Sequence, residues 1–235
     1  MADLIEEKRL AAYAAAELVQ DGMTIGLGTG STAAHVVERL GERVRGGLNF
    51  RAIPTSIKTR RLAEQVGIRI IGFDEASSLD LTIDGADEID PAFQIIKGGG
   101  GALLHERVVA FASAKFVVIA DSSKRVPVLG KFPLPVEVLQ FASPLVAKRM
   151  EALGAKAVLR RDGQGSPTLT DEKNFILDCH FGRIEQPATL AAAIRAIPGV
   201  VDQGLFIDYP DVVFFGVGGS VERHDVARHK PRSSP

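Results

Sequence analysis

Short β-type apolar runs alternate with helical segments through the first half of this 235-residue chain. That alternation constrains the fold more than any other feature. Strand-like runs occupy 24–27, 50–53, 68–71, 81–83 and 116–121. Helical segments are expected near 4–19, from the loop 28–32 through 40, from about 56 to a stop at Gly67, and over 102–112. In the first of these, Leu4, Ile5, Ala11, Ala15, Leu18 and Val19 fall near one face, and Asp21-Gly22 supplies a stop. The run FVVIAD (116–121) is almost continuously apolar, as a strand must be when both faces of its sheet are covered. Strand–helix alternation of this kind predicts an α/β fold built on a parallel sheet with right-handed crossovers.

The pattern changes near Val126. FPLPVEVL carries two prolines, SPLVAKRMEALG reads as a helix closed by Gly154, and AKAVLRR and FILDCHF read as strands flanking a polar turn. PATLAAAIRAI is a further helix and PGVV a further apolar segment. This strand–helix–strand–strand–helix–strand order predicts a smaller α+β domain over roughly 131–199. The main domain then comprises 1–130 and 200–235, with VVFFGV (212–217) returning to the first sheet. The polar tail HDVARHKPRSSP (224–235) is expected to be disordered.

Composition narrows the function. A formal net charge of −1 gives no general electrostatic reason to bind nucleic acid or an acidic membrane. The single cysteine, Cys179, cannot form an internal disulfide, which favours a reducing, cytoplasmic location. No apolar run approaches a membrane span, and the charged first residues form an amphipathic helix instead of a signal peptide.

Chemistry concentrates in 81–106, LTIDGADEIDPAFQIIKGGGGALLHE. Carboxylates at a strand end, a lysine and a glycine turn suit proton transfer on a small polar substrate. DGADE (84–88) alone could be a solvated turn, and a metal site is the other rival, although no histidine lies within the motif. Lys97 can supply the positive charge a metal would bring, and glycine amides opening a helix can face an oxyanion. Glu106 lies early in the following helix, where a surface acid is also favoured. His105 and Arg107 are expected to face solvent, and Cys179 and His180 to serve packing.

GLGTGST (26–32) sits between a strand and a helix, so its backbone N–H groups, the helix dipole and the Ser31 and Thr32 hydroxyls suit a phosphate cradle, with a tight βα turn holding no ligand as the alternative. A dinucleotide fingerprint fits less well: the spacing is G-x-G-x-G-S, with no acid between Glu42 and Glu64 for a ribose hydroxyl. No Gly-Lys-Ser/Thr follows, so the P-loop pattern also fails. Ser31, Asp84 and Lys124 are all expected at strand carboxyl ends, which makes one shared site the better reading.

The motifs GTGSTAAH, LDLTIDGADEID, KGGGGAL with Glu106, IADSSK, FPLPVEV and PGVVDQGLF occur in the order found in type A ribose-5-phosphate isomerases. The chain resembles that family from about residue 5 to 220. The resemblance implies a Rossmann-like parallel sheet with helices on both faces and a smaller inserted α+β domain. It also implies interconversion of ribose 5-phosphate and ribulose 5-phosphate without metal or cofactor, in a homodimer or homotetramer. Glu106 then resembles the base moving a proton between C2 and C1, Asp84 the carboxylate handling hydroxyl protons, and Asp87 its partner in ring opening. Lys97 with Gly98, Gly99 and Gly100 would stabilise the enediolate. Thr29, Gly30, Ser31, Thr32 and Lys124, with Lys8, would hold the phosphate, and Gly85 and Ala86 would line the substrate.

Two departures stand out. Leu104-His105 replaces a threonine–arginine pair common in the family, and PTSIKTR (54–60) lacks its usual serine-rich pattern. Related folds also serve sugar-phosphate-sensing regulators and coenzyme A transferases. A sensor could dispense with Asp84, Asp87, Lys97 and Glu106, all present here, and a transferase normally needs a larger site.

Overall fold

The computed structural model describes residues 3–227. In chain order its elements are α1 (Leu4–Ala16), β1 (Thr24–Leu27), α2 (Ser31–Arg45), β2 (Arg51–Pro54), α3 (Ile57–Gln65), β3 (Arg69–Ile70), β4 (Leu79–Gly85), β5 (Glu88–Ile89) and β6 (Ile95–Ile96). There follow α4 (Leu103–Phe111), β7 (Ser113–Asp121), β8 (Leu134–Val138), α5 (Ser143–Ala152), β9 (Lys156–Leu159) and β10 (Phe175–His180). The chain ends with α6 (Pro187–Arg195), β11 (Val200–Gln203), β12 (Leu205–Phe206), β13 (Val212–Val217) and β14 (Ser220–Asp225).

Two compact units share the chain. The first takes residues up to Ala86, His105–Lys124 and those from Asp208 on; the second takes Asp87–Leu104 and Arg125–Ile207. The second unit therefore reaches beyond the 131–199 expected from sequence and includes the Lys97 segment.

The first unit is built on a seven-stranded sheet ordered β14-β13-β7-β4-β1-β2-β3. Every pairing is parallel except the β13–β14 hairpin. Strand alternation divides its core in two. Ile25, Leu27, Leu81, Ile83, Val117 and Ile119 pack with residues of α1 and α2. On the other face Ile53 packs with Val109 of α4, in a cluster that also takes in Leu79 from the start of β4. Helices thus cover both faces, and the near-continuous burial of β7 follows.

The second unit contains a four-stranded antiparallel sheet, β11-β8-β10-β9, and a small sheet β12-β6-β5. The order β8-α5-β9-β10-α6-β11 is the strand–helix–strand–strand–helix–strand pattern read from sequence. Its core gathers Leu134, Val136, Val146, Met150, Leu177 and Ile194.

Several local expectations need correction. Leu4 and Ile5 are exposed; α1 instead buries Glu7 and four alanines, because a close-packed helix–sheet contact favours small side chains. The tail begins later than 224, since His224 and Asp225 pair in β14 with Val213 and Val212. Residues 228–235 of that tail lie outside the described residues. No helix among the described residues is long and apolar enough to cross a membrane.

Glu7 has a defined task. It is 2% exposed, and its carboxylate accepts hydrogen bonds from the backbone N–H groups of Gly218 (3.0 Å) and Ser122 (2.9 Å). It thereby ties α1 to the carboxyl ends of β13 and β7. The Gly218 amide, then Ser122, hold its carboxyl below the ordinary 4.5, against the opposing effect of burial. A depressed carboxylate stabilises the fold above its unfolded pKa, and that stability is lost as pH falls through the folded pKa. Glu7→Gln is therefore expected to cost about 1–3 kcal/mol at neutral pH, the penalty of mispairing a buried donor. Urea melts of both proteins should converge once pH falls below the folded value.

Candidate active site

In the first sheet the strands run β3-β2-β1-β4-β7-β13, so chain direction through the sheet reverses between β1 and β4. In open parallel sheets, loops leaving the carboxyl ends of two such strands diverge, and ligands usually bind there. The β1 loop begins at Gly28, whose N–H donates to the Ile83 carbonyl at 2.9 Å. Asp84, fully buried, lies against it: its Oδ1 accepts from Gly85 N–H (2.7 Å) and Thr29 N–H (3.2 Å). A Cβ at residue 28 would lie 2.1 Å from that oxygen, so glycine is the residue this close approach permits.

A cluster of hydroxyls surrounds Thr29. Its Oγ1 is 2.7 Å from Thr55 Oγ1, 2.8 Å from Ser56 Oγ and 3.2 Å from Thr59 Oγ1. Thr59 Oγ1 in turn donates to the Gly28 carbonyl at 2.9 Å. Thr55, Ser56 and Thr59 were not among the residues expected at the site. Their signal was present in TSIKT, where Ser56 caps α3 by accepting from Thr59 N–H.

Helix α2 starts at Ser31 after Gly30, and directs its first N–H groups to the same sheet edge. Lys8 reaches there from α1: its Nζ donates to Ser31 Oγ at 3.3 Å and lies 4.0 Å from Asp121 Oδ2. Thr32 is buried and Ser31 exposed. Asp121 ends β7, its Oδ1 accepts from Ser123 N–H at 3.0 Å, and the short 3-10 turn Ser122–Lys124 carries half-buried Lys124. The cradle is thus a helix N-terminus flanked by a lysine from α1 and followed along the edge by a second lysine. Positive charge of this kind suits an anion.

Glu106 occupies the first turn of α4 and is 2% exposed, which excludes the surface-acid reading. Helix α4 joins the end of β4 to the start of β7, so it runs antiparallel to the strands and its first turn belongs to the carboxyl edge. Arg107 does not face solvent freely as expected; it is half-buried and its guanidinium lies 5.4 Å from the Tyr209 ring centroid. His105 is half-buried too.

The second unit holds the other candidates. Lys97 is 2% exposed, its N–H donates to the Gly204 carbonyl at 2.9 Å, and its Nζ lies 5.8 Å from the Phe206 ring centroid. Asp87 Oδ2 accepts from Gly99 N–H at 2.8 Å, and a Cβ at residue 99 would come within 2.5 Å of the other carboxylate oxygen. Gly98 and Gly101 close a turn through a 3.0 Å bond from Gly101 N–H to the Gly98 carbonyl. Cys179 is buried in that unit's core, where burial pushes its thiol up to about 12, and it serves packing; His180 is exposed. Among the described residues no group of three or more histidines, cysteines and acids is placed to hold a metal ion.

A family model described as ribose 5-phosphate isomerase A (phosphoriboisomerase A) matches residues 51–219. The chain belongs to that family. A ribose-5-phosphate isomerase A of Sphingopyxis alaskensis is 51% identical over 225 residues, covering 95% of this chain and 98% of the relative. A solved ribose 5-phosphate isomerase A from Neisseria gonorrhoeae is 41% identical with a TM-score of 0.90, covering 97% of this chain and all of that one. A D-ribose-5-phosphate isomerase solved with phospho-erythronic acid is 36% identical with a TM-score of 0.92, covering 95% and 100%. Against this family background, Leu104-His105 leaves the burial of Glu106 intact, and the altered 54–60 segment still supplies three hydroxyls around Thr29.

The Gly28–Asp84 approach gives a direct test. Gly28→Ala must displace the Asp84 carboxylate or the β1 loop, an overpacking cost of about 1–3 kcal/mol. The variant is expected to fold with a lowered thermal midpoint and to lose at least about tenfold in turnover of ribose 5-phosphate, measured by ketose formation.

Proposed function

We propose that the chain interconverts D-ribose 5-phosphate and D-ribulose 5-phosphate through an enediolate, as an aldose–ketose isomerase of the non-oxidative pentose phosphate pathway. The observation that carries this reading is the shared carboxyl edge. The α2 N-terminus with Lys8, buried Asp84, Lys124 and buried Glu106 all belong to the same side of one parallel sheet.

In this mechanism Thr29, Gly30, Ser31 and Thr32, with Lys8 and Lys124, anchor the phosphate, and that binding energy orients the reacting carbons. Gly85 and Ala86 line the substrate. Asp84 and Asp87 move hydroxyl protons, first in opening the sugar ring. The Glu106 carboxylate removes the C2 proton of the open aldose as the C1 carbonyl oxygen gains the electron pair, giving the enediolate. Lys97 and the Gly98–Gly100 amides stabilise that oxygen. Asp84 carries a proton between the two oxygens, and the Glu106 acid returns its proton to C1, leaving the C2 ketone. Protons and electron pairs balance, so no redox partner is required, and Lys97 supplies the positive charge a metal would otherwise bring.

The reading includes a homodimer or homotetramer in the cytoplasm with no nucleic-acid or membrane partner. Its support is the oligomeric habit implied by the resemblance, the near-neutral net charge and the single buried cysteine. Phospho-erythronic acid, bound by a relative, is expected to compete with ribose 5-phosphate here.

Incubation with ribose 5-phosphate and detection of ketose is the primary test. Lys124→Ala removes a charge-assisted contact worth about 1.5–3 kcal/mol. It should weaken use of ribose 5-phosphate about ten- to hundredfold, while unphosphorylated ribose remains a very poor substrate of either protein. Equal turnover of ribose and its phosphate would contradict phosphate anchoring.

Glu106→Gln keeps size and hydrogen-bonding capacity but removes the base. Positioned acid–base groups contribute about 10²–10⁴-fold, so kcat should fall by that order with KM little changed. Exchange of the C2 hydrogen with deuterated solvent should fall in step. A folded variant with near-normal turnover would move the base elsewhere, to Asp84 first.

A further inference from the structure

Arg160 follows β9 in the second unit and reaches back to the glycine turn. Its Nη1 donates to the carbonyls of Gly98 (3.0 Å) and Gly99 (3.2 Å). On the other side of the guanidinium, Nε and Nη2 make a two-pronged pair with Asp178 Oδ2 (2.9 Å) and Oδ1 (2.5 Å). Both side chains are largely buried, at 15% and 20% exposed. A planar fork gripped this way by a carboxylate has one orientation, and a lysine could not reproduce it.

The consequence for the turn follows from peptide geometry. In a trans peptide the C=O and N–H point in opposite directions. With the Gly98 and Gly99 carbonyls both drawn to Arg160, the N–H groups of Gly99 and Gly100 face away from it. The Gly99 N–H there meets Asp87 Oδ2 at 2.8 Å. The Gly98 carbonyl also accepts from Gly101 N–H, so both its lone pairs are used and the turn has little freedom left. A cation on the carbonyl oxygens additionally polarises both peptides and makes their N–H groups stronger donors.

We infer that Arg160, locked by Asp178, is a positioning residue for the reaction: it sets the peptide planes of Gly98–Gly100 so that the Gly100 N–H is aimed, beside the Asp87 carboxylate, at the oxygen that gains charge in the enediolate. Arg160 touches no reacting atom; it acts through the turn. Its backbone is held independently, with Arg160 N–H donating to the Ile176 carbonyl (2.8 Å) and Thr168 N–H donating to the Arg160 carbonyl (2.9 Å). Changing the side chain therefore leaves the β9–β10 hairpin in place. The inference rests on the proposed isomerase reading and on the role given there to the glycine amides.

The test uses the full-length enzyme with Arg160→Met, which keeps the stem and removes charge and donors, and Arg160→Lys, which keeps charge without the fork. Loss of an oxyanion donor costs about 10²–10³ in kcat; a misaimed donor should cost about ten- to hundredfold. Expected for Arg160→Met is that fall in kcat with KM changed less than about threefold, because the phosphate end is held elsewhere. Inhibition by phospho-erythronic acid, which carries a carboxylate at the end opposite its phosphate, should weaken, while inhibition by inorganic phosphate stays the same. Arg160→Lys should recover only part of kcat, and adding Asp178→Asn to Arg160→Met should cost little more, since the two act as one unit.

A folded Arg160→Met with wild-type kcat overturns the inference, as does a loss confined to KM and to inorganic phosphate. If Arg160→Met does not fold, Arg160→Lys decides: full kcat with unchanged phospho-erythronic acid inhibition overturns the inference, and a selective loss of both supports it. A wild-type protein that fails to isomerise ribose 5-phosphate overturns the function itself, an outcome distinct from either.

Discussion

The carboxylate of Asp84 packed into the space left by Gly28 is the contact on which the site's geometry depends. It lies at the one place in the sheet where neighbouring strands lead their loops apart, and it accepts N–H groups from both sides of that divide, Thr29 after β1 and Gly85 at the end of β4. A buried carboxylate without such donors would cost several kcal/mol. Here one of the donors, the Thr29 N–H, belongs to the 28–32 loop. Asp84 and the 28–32 loop are therefore tied to each other, and neither can shift without the other.

Buried acids recur as fasteners elsewhere in the chain. Glu7 ties α1 to two strand ends. Glu88 accepts from the N–H groups of Gly130 (2.7 Å) and Phe132 (2.6 Å), and Glu137 from Thr170 Oγ1 (2.8 Å) and Asn174 Nδ2 (2.9 Å). In each case a buried carboxyl group is satisfied by donors from loop residues. A hydrophobic contact is non-directional, whereas two hydrogen bonds from defined donors hold a loop in one orientation. The pattern explains how long irregular segments such as 125–133 stay ordered beside small cores.

Period and punctuation made most of the architecture legible. β1, β2, β4 and β7 announced themselves as apolar runs between helices, and the second unit's strand–helix order was readable from 131 onward. The short strands β5, β6 and β12 were not, because two residues carry no periodicity and their pairing is set by contacts distant in sequence, such as Leu205 with Ile96. β14 was hidden by its charge: SVERHD lies at a sheet edge, where polar side chains are tolerated on both faces. At the candidate site, Asp84, Glu106 and the 28–32 loop stood out in the sequence because charge and glycine there conflict with a packing role. Thr55, Ser56 and Thr59 were not, since hydroxyl residues after a strand also serve as ordinary helix caps. Arg160 was missed for a different reason. The arginine pair in AVLRR looks like a solvated strand end, and only the fold brings Arg160 to Gly98 and Gly99.

The connection between β4 and α4 shows how such a site can be assembled in one chain. In a simple parallel sheet that connection is a few residues long. Here it is extended into the excursion Asp87–Leu104, which joins the second unit. Loop-closure entropy grows only slowly with length, so the extension itself is inexpensive. The excursion leaves from the carboxyl end of β4 just after Asp84 and returns one residue before Glu106, at the first turn of α4. Both acids therefore stay on the rigid sheet edge, while Asp87, Lys97 and the glycine turn are carried on the excursion between them. The second unit then supplies what a bare loop lacks: Gly204 holds the Lys97 backbone, and Arg160 with Asp178 holds the turn. Asp84 sits at a strand end and Glu106 in the first turn of the helix that follows the excursion, while the glycine turn is held by hydrogen bonds of its own unit.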